Sequence, residues 1–272
     1  MRNLLVRTIS GIILVLIIIG SILLSEFSML ALILVIYSLG LYEFNAMFPR
    51  KSQAHFLLFL IAGIGLLTLS FLYFNREIKM EYLAVAAAIY FILLILFFLF
   101  LNGVFKNHTR QMLFAFYWLT GTLLFFMTQG WINNKELYDP LYMIILLSMI
   151  WIYDIGAFIF GSLLGRTPLA PLISPGKTVE GFICGVLMNA AAGYIAFRIT
   201  GDFTMGQWIL LSVVISVGGT AGDLFESKLK RVAGVKDSGQ IIPGHGGILD
   251  RFDSLFFSAP LFLITMEILK LL

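Results

Sequence analysis

Charged side chains are scarce in this chain of 272 residues, of which 12% are Asp, Glu, Lys or Arg while 60% are hydrophobic. A soluble domain has about 25% charged and about 45–50% apolar residues. The composition therefore excludes a soluble globular protein and predicts a polytopic membrane protein. Cysteine is nearly absent too: the single Cys184 lies in an apolar run, which excludes a disulfide framework.

Linkers, low-complexity tracts and clear repeats are also lacking in the sequence, so we expect one transmembrane domain over 1–272. Residues 1–140 would supply N-terminal helices, and 141–272 the catalytic helices and cytoplasmic loops. The N-terminal MRNLLVR and its apolar continuation resemble a signal peptide. No clear cleavage site follows and more apolar segments come at once, so we expect a retained first span.

Apolar segments long enough to cross a membrane are abundant, since a span needs about 20 mostly apolar residues. The fold class predicted is an all-α polytopic membrane protein with about nine transmembrane helices. The nine candidates are Thr8–Leu24, Met29–Phe48, Phe56–Phe74, Tyr82–Leu101, Met112–Gln129, Leu141–Phe160, Gly181–Ile199, Gln207–Leu224 and Phe252–Leu271.

The distribution of Lys and Arg orients these spans. With nine spans and a cytoplasmic N-terminus, 13 of the 18 Lys and Arg residues fall on the cytoplasmic side, as the positive-inside rule requires. The C-terminus is then extracytoplasmic, and the loop between the last two spans faces the cytoplasm. We expect a multi-pass protein of the cytoplasmic (inner) membrane with its active site on the cytoplasmic side.

Pairs of glycines four residues apart favour close helix packing. They also permit a homodimer. For the first two pairs, a close backbone approach to a ligand is the alternative. The pairs are Gly218 with Gly222, Gly161 with Gly165, and Gly181 with Gly185.

The segment from Asp223 to Asp253 carries dense charge beside apolar spans, which membrane proteins rarely tolerate without a charged ligand. Asp223 ends the eighth predicted span, and Asp250 and Asp253 begin the ninth. Facing carboxylates repel each other unless a cation lies between them, and carboxylates suit Mg²⁺. We predict that Asp223 and Asp250 bind Mg²⁺, with Asp253 as the next candidate. The alternative is ion pairing, which we favour for Glu226; the candidate partners are Lys230, Arg231 and Arg251.

Two further acids lie inside predicted spans. Asp154 is deep in the sixth, where a lone carboxylate costs about 2.5–3.5 kcal/mol on insertion scales. We therefore expect Asp154 to face a polar pocket, as a second metal ligand or as a partner that orients a lysine. Glu43 lies near the cytoplasmic end of the second span, and we expect it to reach the interface.

Basic residues in the same segment suit phosphate groups, although the positive-inside rule alone also places Lys and Arg there. The candidates are Arg231, Lys236, Arg251, Lys228 and Lys230. Gly246 and Gly247 precede the ninth helix, where free backbone N–H groups favour an anion. His245, flanked by glycines, is a candidate for donating to a phosphate or moving a proton.

A second motif, Ser174-Pro-Gly-Lys-Thr178, follows the sixth span. Its Gly-Lys-Thr resembles the end of a P-loop, but the glycine that a P-loop requires is replaced by Pro171, and no soluble α/β domain surrounds it. We reject a P-loop and expect Lys177 and the hydroxyls of Ser174 and Thr178 to bind phosphate. Helix capping is the alternative for Thr178.

These residues together resemble the signature of the phosphatidate cytidylyltransferases (CDP-diacylglycerol synthases). The resemblance covers about 154–253; Ile155 stands where many relatives have Ser or Thr, and Arg166 where many have Lys. It rests on Asp154, Gly156, Ala157, Gly161, Gly165, Arg166, Leu169, Ala170, Pro171, Ser174, Pro175, Ser227, Leu229, Lys230, Arg231, Lys236, Asp237, Gly239, Pro243, His245, Gly246, Gly247, Ile248, Asp250, Arg251 and Asp253.

The resemblance implies a Mg²⁺-dependent nucleotidyltransferase that makes CDP-diacylglycerol and pyrophosphate from CTP and phosphatidic acid, for phospholipid biosynthesis. The expected partners are CTP, phosphatidic acid and the bilayer, with no nucleic acid. The number of cations, one or two, stays open. The implied catalytic residues are Asp223, Asp250, Lys236, Arg231 and His245.

Two rival functions stay open. One is a neighbouring lipid enzyme that uses CTP on another lipid or acts as a CTP-dependent lipid kinase, which would release CDP in place of pyrophosphate. The other is a transporter with Asp154 and Asp223 as coupling-ion ligands. Charge clustered at one membrane face argues against a transporter.

Overall fold

The computed structural model of the chain describes residues 2–48, 53–74, 85–90, 92–93, 107–131 and 137–271. Most of them are helical. The helices are α1 (Arg2–Leu24), α2 (Glu26–Met47), α3 (Gln53–Phe74), α4 (His108–Thr128), α5 (Leu141–Leu164), α6 (Val179–Thr200), α7 (Met205–Ala233), α8 (Leu249–Phe252) and α9 (Leu255–Lys270).

The chain is a multi-pass membrane protein. Eight segments within the described residues are helical, long and apolar enough to cross a bilayer, with α8 and α9 forming one of them. They match eight of the nine predicted spans. The remaining prediction, Tyr82–Leu101, lies outside the described residues apart from 85–90 and 92–93, which are helical.

Helix ends follow local chemistry. Ser25 and Thr204 each form a capping box at the start of α2 and α7, which satisfies backbone N–H groups that a helix start leaves free. Gly201 and Gly234 end α6 and α7 with φ of 72° and 73°, a conformation that glycine adopts without a steric penalty.

Helix α7 differs from its prediction, which ended at Leu224. It continues to Ala233 and has 29 residues, so it is about 43 Å long against a hydrocarbon core of about 30 Å. Its last turns therefore extend the charged residues beyond the apolar layer. The predicted ninth span is divided, because α8 ends at Phe252 and α9 begins at Leu255.

A small hairpin departs from the all-α expectation. Strand β1 (Pro168–Ala170) pairs antiparallel with β2 (Ser174–Thr178), with Pro168 opposite Thr178 and Ala170 opposite Ser174. The hairpin joins α5 to α6 and contains the predicted phosphate motif.

Close glycine packing is confirmed in two helix pairs. A Cβ atom on Gly181 would lie 2.7 Å from the Ala157 carbonyl oxygen and 2.8 Å from Gly161 Cα, so α5 and α6 touch through their backbones. A Cβ on Gly222 would collide with the Asp253 carbonyl oxygen, which brings α7 against the α8–α9 junction. These glycines pack helices of one chain, so they carry no support for a dimer.

The aromatic core lies beside that junction. Trp118 of α4 packs against Phe225 of α7 and Phe256 of α9, with ring centroids 5.3 and 4.5 Å apart. All three rings are buried. This core fixes the ends of α7 and α9, where the predicted acidic residues lie.

Candidate active site

A polar cavity of about 890 Å³ lies at the end of the bundle where α1 begins and α7 ends. Helices α5, α7 and the α8–α9 junction contribute Asp154, Asp223 and Asp253 to its wall. Helix α1 contributes Arg7, and α8 contributes Arg251. The cavity therefore brings together acids and bases that are far apart in the sequence.

The loop between α7 and α8 forms one wall of this cavity. Pro243 and Gly244 occupy the centre of a β-turn closed by the His245 N–H, which donates to the Ile242 carbonyl at 2.9 Å. Gly244 has φ of 76°, as the third position of a type II turn requires. The Ile242 N–H then donates to the Gly246 carbonyl at 3.0 Å, which folds the predicted glycine motif into a compact turn.

Asp250 anchors this loop. One carboxylate oxygen accepts from the Ser238 N–H at 3.1 Å, the Ser238 hydroxyl at 3.0 Å and the Gly247 N–H at 2.9 Å. The other oxygen pairs with Lys230 Nζ at 2.7 Å. The ion-pair alternative therefore describes Asp250 in this structure, and its predicted role as a Mg²⁺ ligand stays a prediction.

Gly246 and Gly247 leave room for that anchor. Gly246 has φ of 85°, and a Cβ there would lie 2.8 Å from Asp250 Oδ2. A Cβ on Gly247 would collide with the Ser238 hydroxyl and with Glu43. Both glycines are needed for the loop to close, whatever contact they make with a substrate.

Glu43 corrects our expectation that it reaches the interface. It is 2% exposed and accepts hydrogen bonds from the backbone N–H groups of Ile248 and Leu249 at 2.9 and 3.0 Å. The Ser238 hydroxyl is also 3.1 Å from it. A buried carboxylate needs such donors, and the loop supplies them.

Glu226 is ion-paired, as we favoured. Its carboxylate is 1% exposed and contacts Lys230 Nζ. Lys230 thus joins Glu226 on α7 to Asp250 on α8. With both carboxylates so close, its positive charge is occupied within the protein.

Asp154, Asp223 and Asp253 form a second acidic group, which faces the cavity. Asp223 Oδ2 pairs with Lys177 Nζ at 2.5 Å, and Asp154 accepts from the Ser254 hydroxyl at 3.4 Å. The sequence alternative paired Asp223 with bases of its own segment, whereas the observed partner comes from the hairpin.

These carboxylates could hold a divalent cation only together with the phosphate oxygens of a bound substrate. Among the residues that the structure describes, no group of three His, Cys, Asp or Glu is arranged to hold a metal ion. Mg²⁺ in phosphate-transfer sites is bound by one or two carboxylates plus phosphate oxygens and water. The cavity lining has five acids against three Lys and Arg, so a triphosphate entering it needs added positive charge.

A smaller cavity of about 280 Å³ lies on the hairpin side and shares Asp154 and Asp223 with the first. Lys177 and Thr178 line it. The Thr178 hydroxyl accepts from the Gly181 N–H at 3.2 Å, so the capping alternative for Thr178 is confirmed. Ser174 lies half-buried in β2, outside the lining of both cavities.

His245 lies between the loop and α1. Its Nδ1 is 2.9 Å from the Ser10 hydroxyl, which also lies 2.9 Å from the Pro243 carbonyl. Burial lowers the pKa of His245, and the positive charges of Arg251 and Arg7 lower it further. The imidazole is therefore neutral at pH 7, with one nitrogen as donor and one as acceptor.

Three predicted phosphate-binding residues lie away from the cavity wall. Arg231 and Lys236 are exposed, and neither belongs to the lining. Lys228 is half-buried on α7, also outside it. Arg251 is exposed and does line the cavity, so its predicted phosphate contact has the required position.

An apolar groove of about 360 Å³ runs between α1 and α5 and ends at the polar cavity. Leu14 and Ile18 line it from α1, and Ile150 and Trp151 from α5. It shares Asp154, His245, Asp250, Arg251 and Asp253 with the polar cavity. One continuous space thus has an apolar part and a charged part.

The first two helices supply residues that our sequence interpretation did not assign to the site. Arg7 and Ser10 of α1 and Glu43 of α2 all contact the cavity or its loop. Glu43 carried a detectable signal, because an acid inside an apolar span needs a partner. Ser238 carried none, since a single serine in a polar loop segment has no distinctive sequence pattern, although its side chain is buried in the structure.

Comparisons with known proteins show which family the chain resembles. A model of the Cytidylyltransferase family matches residues 5–269. Proteins named phosphatidate cytidylyltransferase from Staphylococcus saprophyticus and Staphylococcus haemolyticus are each 48% identical to the chain over 122 residues. One from Staphylococcus aureus (strain COL) is 49% identical over 122 residues. The matched stretch covers 44% of this chain and 46% of each relative, about half its length.

Proposed function

The chain belongs to the cytidylyltransferase family, and from that premise we propose that it transfers CMP from CTP to phosphatidic acid. The products are CDP-diacylglycerol and pyrophosphate. The observation that carries this proposal is the continuity of the charged cavity with the apolar groove between α1 and α5. A nucleotide needs the charged cavity. A diacyl lipid needs the charged cavity for its phosphate and the apolar groove for its acyl chains.

The lipid acceptor follows from the groove. An acyl chain lying between Leu14 and Trp151 brings its headgroup towards Arg251 and Arg7, which line the charged cavity. Charge-assisted hydrogen bonds from Arg suit a phosphate monoester. The location of the polar residues at one end of the bundle also disfavours a transporter.

The reaction needs no protein nucleophile. A phosphate oxygen of phosphatidic acid forms a bond to the α-phosphorus of CTP, and the bond from that phosphorus to the bridging oxygen of pyrophosphate breaks. The lipid phosphate is already anionic, so the protein acts by aligning the two substrates and neutralising charge. We assign this role to Arg251, which lines the polar cavity, and to Lys177, which lines the smaller one.

Mg²⁺ is the cofactor that we propose, held by Asp223 with Asp154 or Asp253 and by substrate phosphates. When bound, it would neutralise charge on the phosphates, the requirement that the acid-rich lining creates. Lys177 then keeps Asp223 oriented towards the cavity. Asp250 remains a candidate ligand only if its contacts with Lys230 and Ser238 rearrange.

We propose nine crossings with a cytoplasmic N-terminus. Arg7, near the start of α1, lines the cavity, whereas Leu269 of α9 accepts a hydrogen bond from Gln207 at the opposite end of the bundle. The location of these two residues at opposite ends of the bundle supports an odd number of crossings.

Helices α3 and α4 point to the place of the extra crossing. Phe59 packs on Phe116, and Phe71 packs on Trp131, with ring centroids 5.5 and 5.9 Å apart. The two helices therefore run parallel. This arrangement supports the predicted span Tyr82–Leu101 as a return crossing, and the Lys and Arg distribution supports a cavity on the cytoplasmic side of the inner membrane.

The test is an assay of purified protein in detergent with phosphatidic acid, CTP labelled in the cytidine, and Mg²⁺. We expect CDP-diacylglycerol and pyrophosphate in equal amounts, and their loss on adding EDTA. Release of CDP would mark a lipid kinase instead. Product with another lipid acceptor, and none with phosphatidic acid, would keep the nucleotidyl transfer and change the substrate.

A further inference from the structure

We propose that Glu43 is a positioning residue for the reaction: its buried carboxylate holds the loop and α8 in the arrangement that presents Asp250, Arg251 and Asp253 to the cavity. This inference rests on the proposed function for its catalytic consequence. Its structural part stands on geometry alone.

The contacts of Glu43 are complete and specific. Oε1 accepts from the Ile248 N–H, and Oε2 accepts from the Leu249 N–H and lies 3.1 Å from the Ser238 hydroxyl. Ile248 and Leu249 lie at the start of α8, and Ser238 lies in the loop that precedes it. Helix α2 contributes the carboxylate from 195 or more positions away in the sequence, so these hydrogen bonds fix a long-range junction.

The loop is shaped around this carboxylate. A Cβ on Gly239 would lie 2.5 Å from Glu43 Oε1, and a Cβ on Gly247 would collide with Oε2. The absence of side chains at Gly239 and Gly247 thus leaves the space that the Glu43 carboxylate occupies. Such a fit requires that the carboxylate and the loop fold against each other.

Ser238 connects Glu43 to the cavity wall. Its hydroxyl lies 3.1 Å from Glu43 Oε2 and 3.0 Å from Asp250 Oδ2, and its N–H also donates to Asp250. Asp250 immediately precedes Arg251, which lines the cavity. Displacing Glu43 therefore moves Ser238, then Asp250, and then the cation that we assign to the lipid phosphate.

The experiment compares Glu43→Gln and Glu43→Asp with the control Glu26→Gln, which changes an acid at the opposite end of the same helix. Glutamine keeps the shape of the side chain but replaces one carboxylate oxygen with an NH₂ group, which cannot accept from the backbone N–H groups. Aspartate keeps the negative charge. Since hydrogen bonds to charged groups are stronger than those between neutral groups, we expect kcat/KM to fall about 10- to 100-fold in Glu43→Gln. We expect partial recovery in Glu43→Asp and no change in Glu26→Gln.

Trypsin cleavage after Lys236 supplies a readout that does not depend on activity. Cleavage should be faster in Glu43→Gln than in wild type or Glu26→Gln. If wild type makes no product from phosphatidic acid, the proposed function fails, and cleavage alone decides whether Glu43 anchors the loop. Unchanged cleavage and unchanged kcat/KM in Glu43→Gln would overturn the inference.

Ser238→Ala keeps the inference testable if Glu43→Gln does not fold. It removes the shared hydroxyl and leaves no charge unpaired. We expect a loss of kcat/KM of about tenfold and a smaller decrease in the unfolding midpoint than in Glu43→Gln. Wild-type kinetics in Ser238→Ala would contradict the proposed connection between Glu43 and Asp250.

Discussion

Two groups of carboxylates at one end of the bundle have opposite surroundings. The anchoring carboxylates, Glu43, Glu226 and Asp250, are met by backbone N–H groups, Ser238 and Lys230. The cavity carboxylates, Asp154, Asp223 and Asp253, face a common space. The first group holds the protein together, and the second is placed to bind positive charge from outside it.

The presence of an acidic residue in a motif does not by itself assign its role. Asp250 and Asp253 lie three residues apart, a spacing that puts two side chains on one face of a helix. Asp250 is enclosed by donors from the loop, whereas Asp253 has neighbouring acids within electrostatic range on α5 and α7. What surrounds each carboxylate decides whether it anchors or binds.

The sharpest separation of the two groups is expected for Asp223→Asn. Removing a cavity carboxylate should lower kcat by about 10³-fold, because it acts on charge in the transition state. The unfolding midpoint should stay within about 2 °C of wild type, since Asp223 is only partly buried. Product assays and thermal unfolding in detergent measure both. A large loss of stability would place Asp223 among the anchoring carboxylates.

Gly246→Ala perturbs the contacts of the Asp250 carboxylate with the loop by changing the backbone. A non-glycine residue at positive φ costs about 1–2 kcal/mol, and the added Cβ would press on Asp250. We expect a lower unfolding midpoint and a loss of activity of about 10- to 100-fold. Gly206→Ala, where a Cβ meets open space, is the matched control. Equal behaviour of the two variants would show that the loop tolerates movement.

Asp250→Asn should lower activity roughly tenfold and should also lower stability, because Lys230 loses one of its two carboxylate partners. The same substitution at Asp223 should affect activity alone. Thermal unfolding of the two purified variants side by side measures the difference. If Asp250→Asn keeps wild-type stability, its hydrogen bonds are not what holds the loop.

His245 gives a smaller, pH-dependent effect. Its pKa in the folded protein is lowered from the usual 6.5 by burial and by Arg251 and Arg7, so the unfolded chain binds the proton more readily. Stability from this group is therefore present above pH 6.5 and decreases as the pH falls through that value. Unfolding midpoints between pH 8 and 5 should show this decrease in wild type and less of it in His245→Gln. Identical pH profiles of wild type and His245→Gln would show that the lowered pKa of His245 does not cause the decrease in stability.

The smallest effects are expected at the exposed bases. Arg231→Gln and Lys236→Gln should change kcat/KM less than about threefold, because exposed charges outside the cavity are screened by solvent. Arg251→Gln should cost more than either. Activity measured at two salt concentrations checks the order. A large loss in Lys236→Gln would restore the catalytic role that the sequence predicted for it.

Eight spans, the location of the site and most of its polar residues could be predicted from the sequence, because each depends on local composition or on a short motif. The partners of those residues could not. Lys177, which pairs with Asp223, lies on a hairpin that the prediction of membrane spans did not include. The acid Glu43 inside an apolar span indicated that a partner exists but not which one, and Ser10 gave no signal; the contacts of both arise from helix packing.

The most direct test of the account is the Mg²⁺ concentration that gives half-maximal CDP-diacylglycerol formation in wild type, Asp223→Asn and Asp250→Asn, with CTP and phosphatidic acid held constant. If Asp223 is a cavity carboxylate and Asp250 an anchor, Asp223→Asn requires much more Mg²⁺ or shows no activation, whereas Asp250→Asn keeps the wild-type concentration at a lower maximal rate. A shift in Asp250→Asn together with wild-type Mg²⁺ dependence in Asp223→Asn would contradict the account.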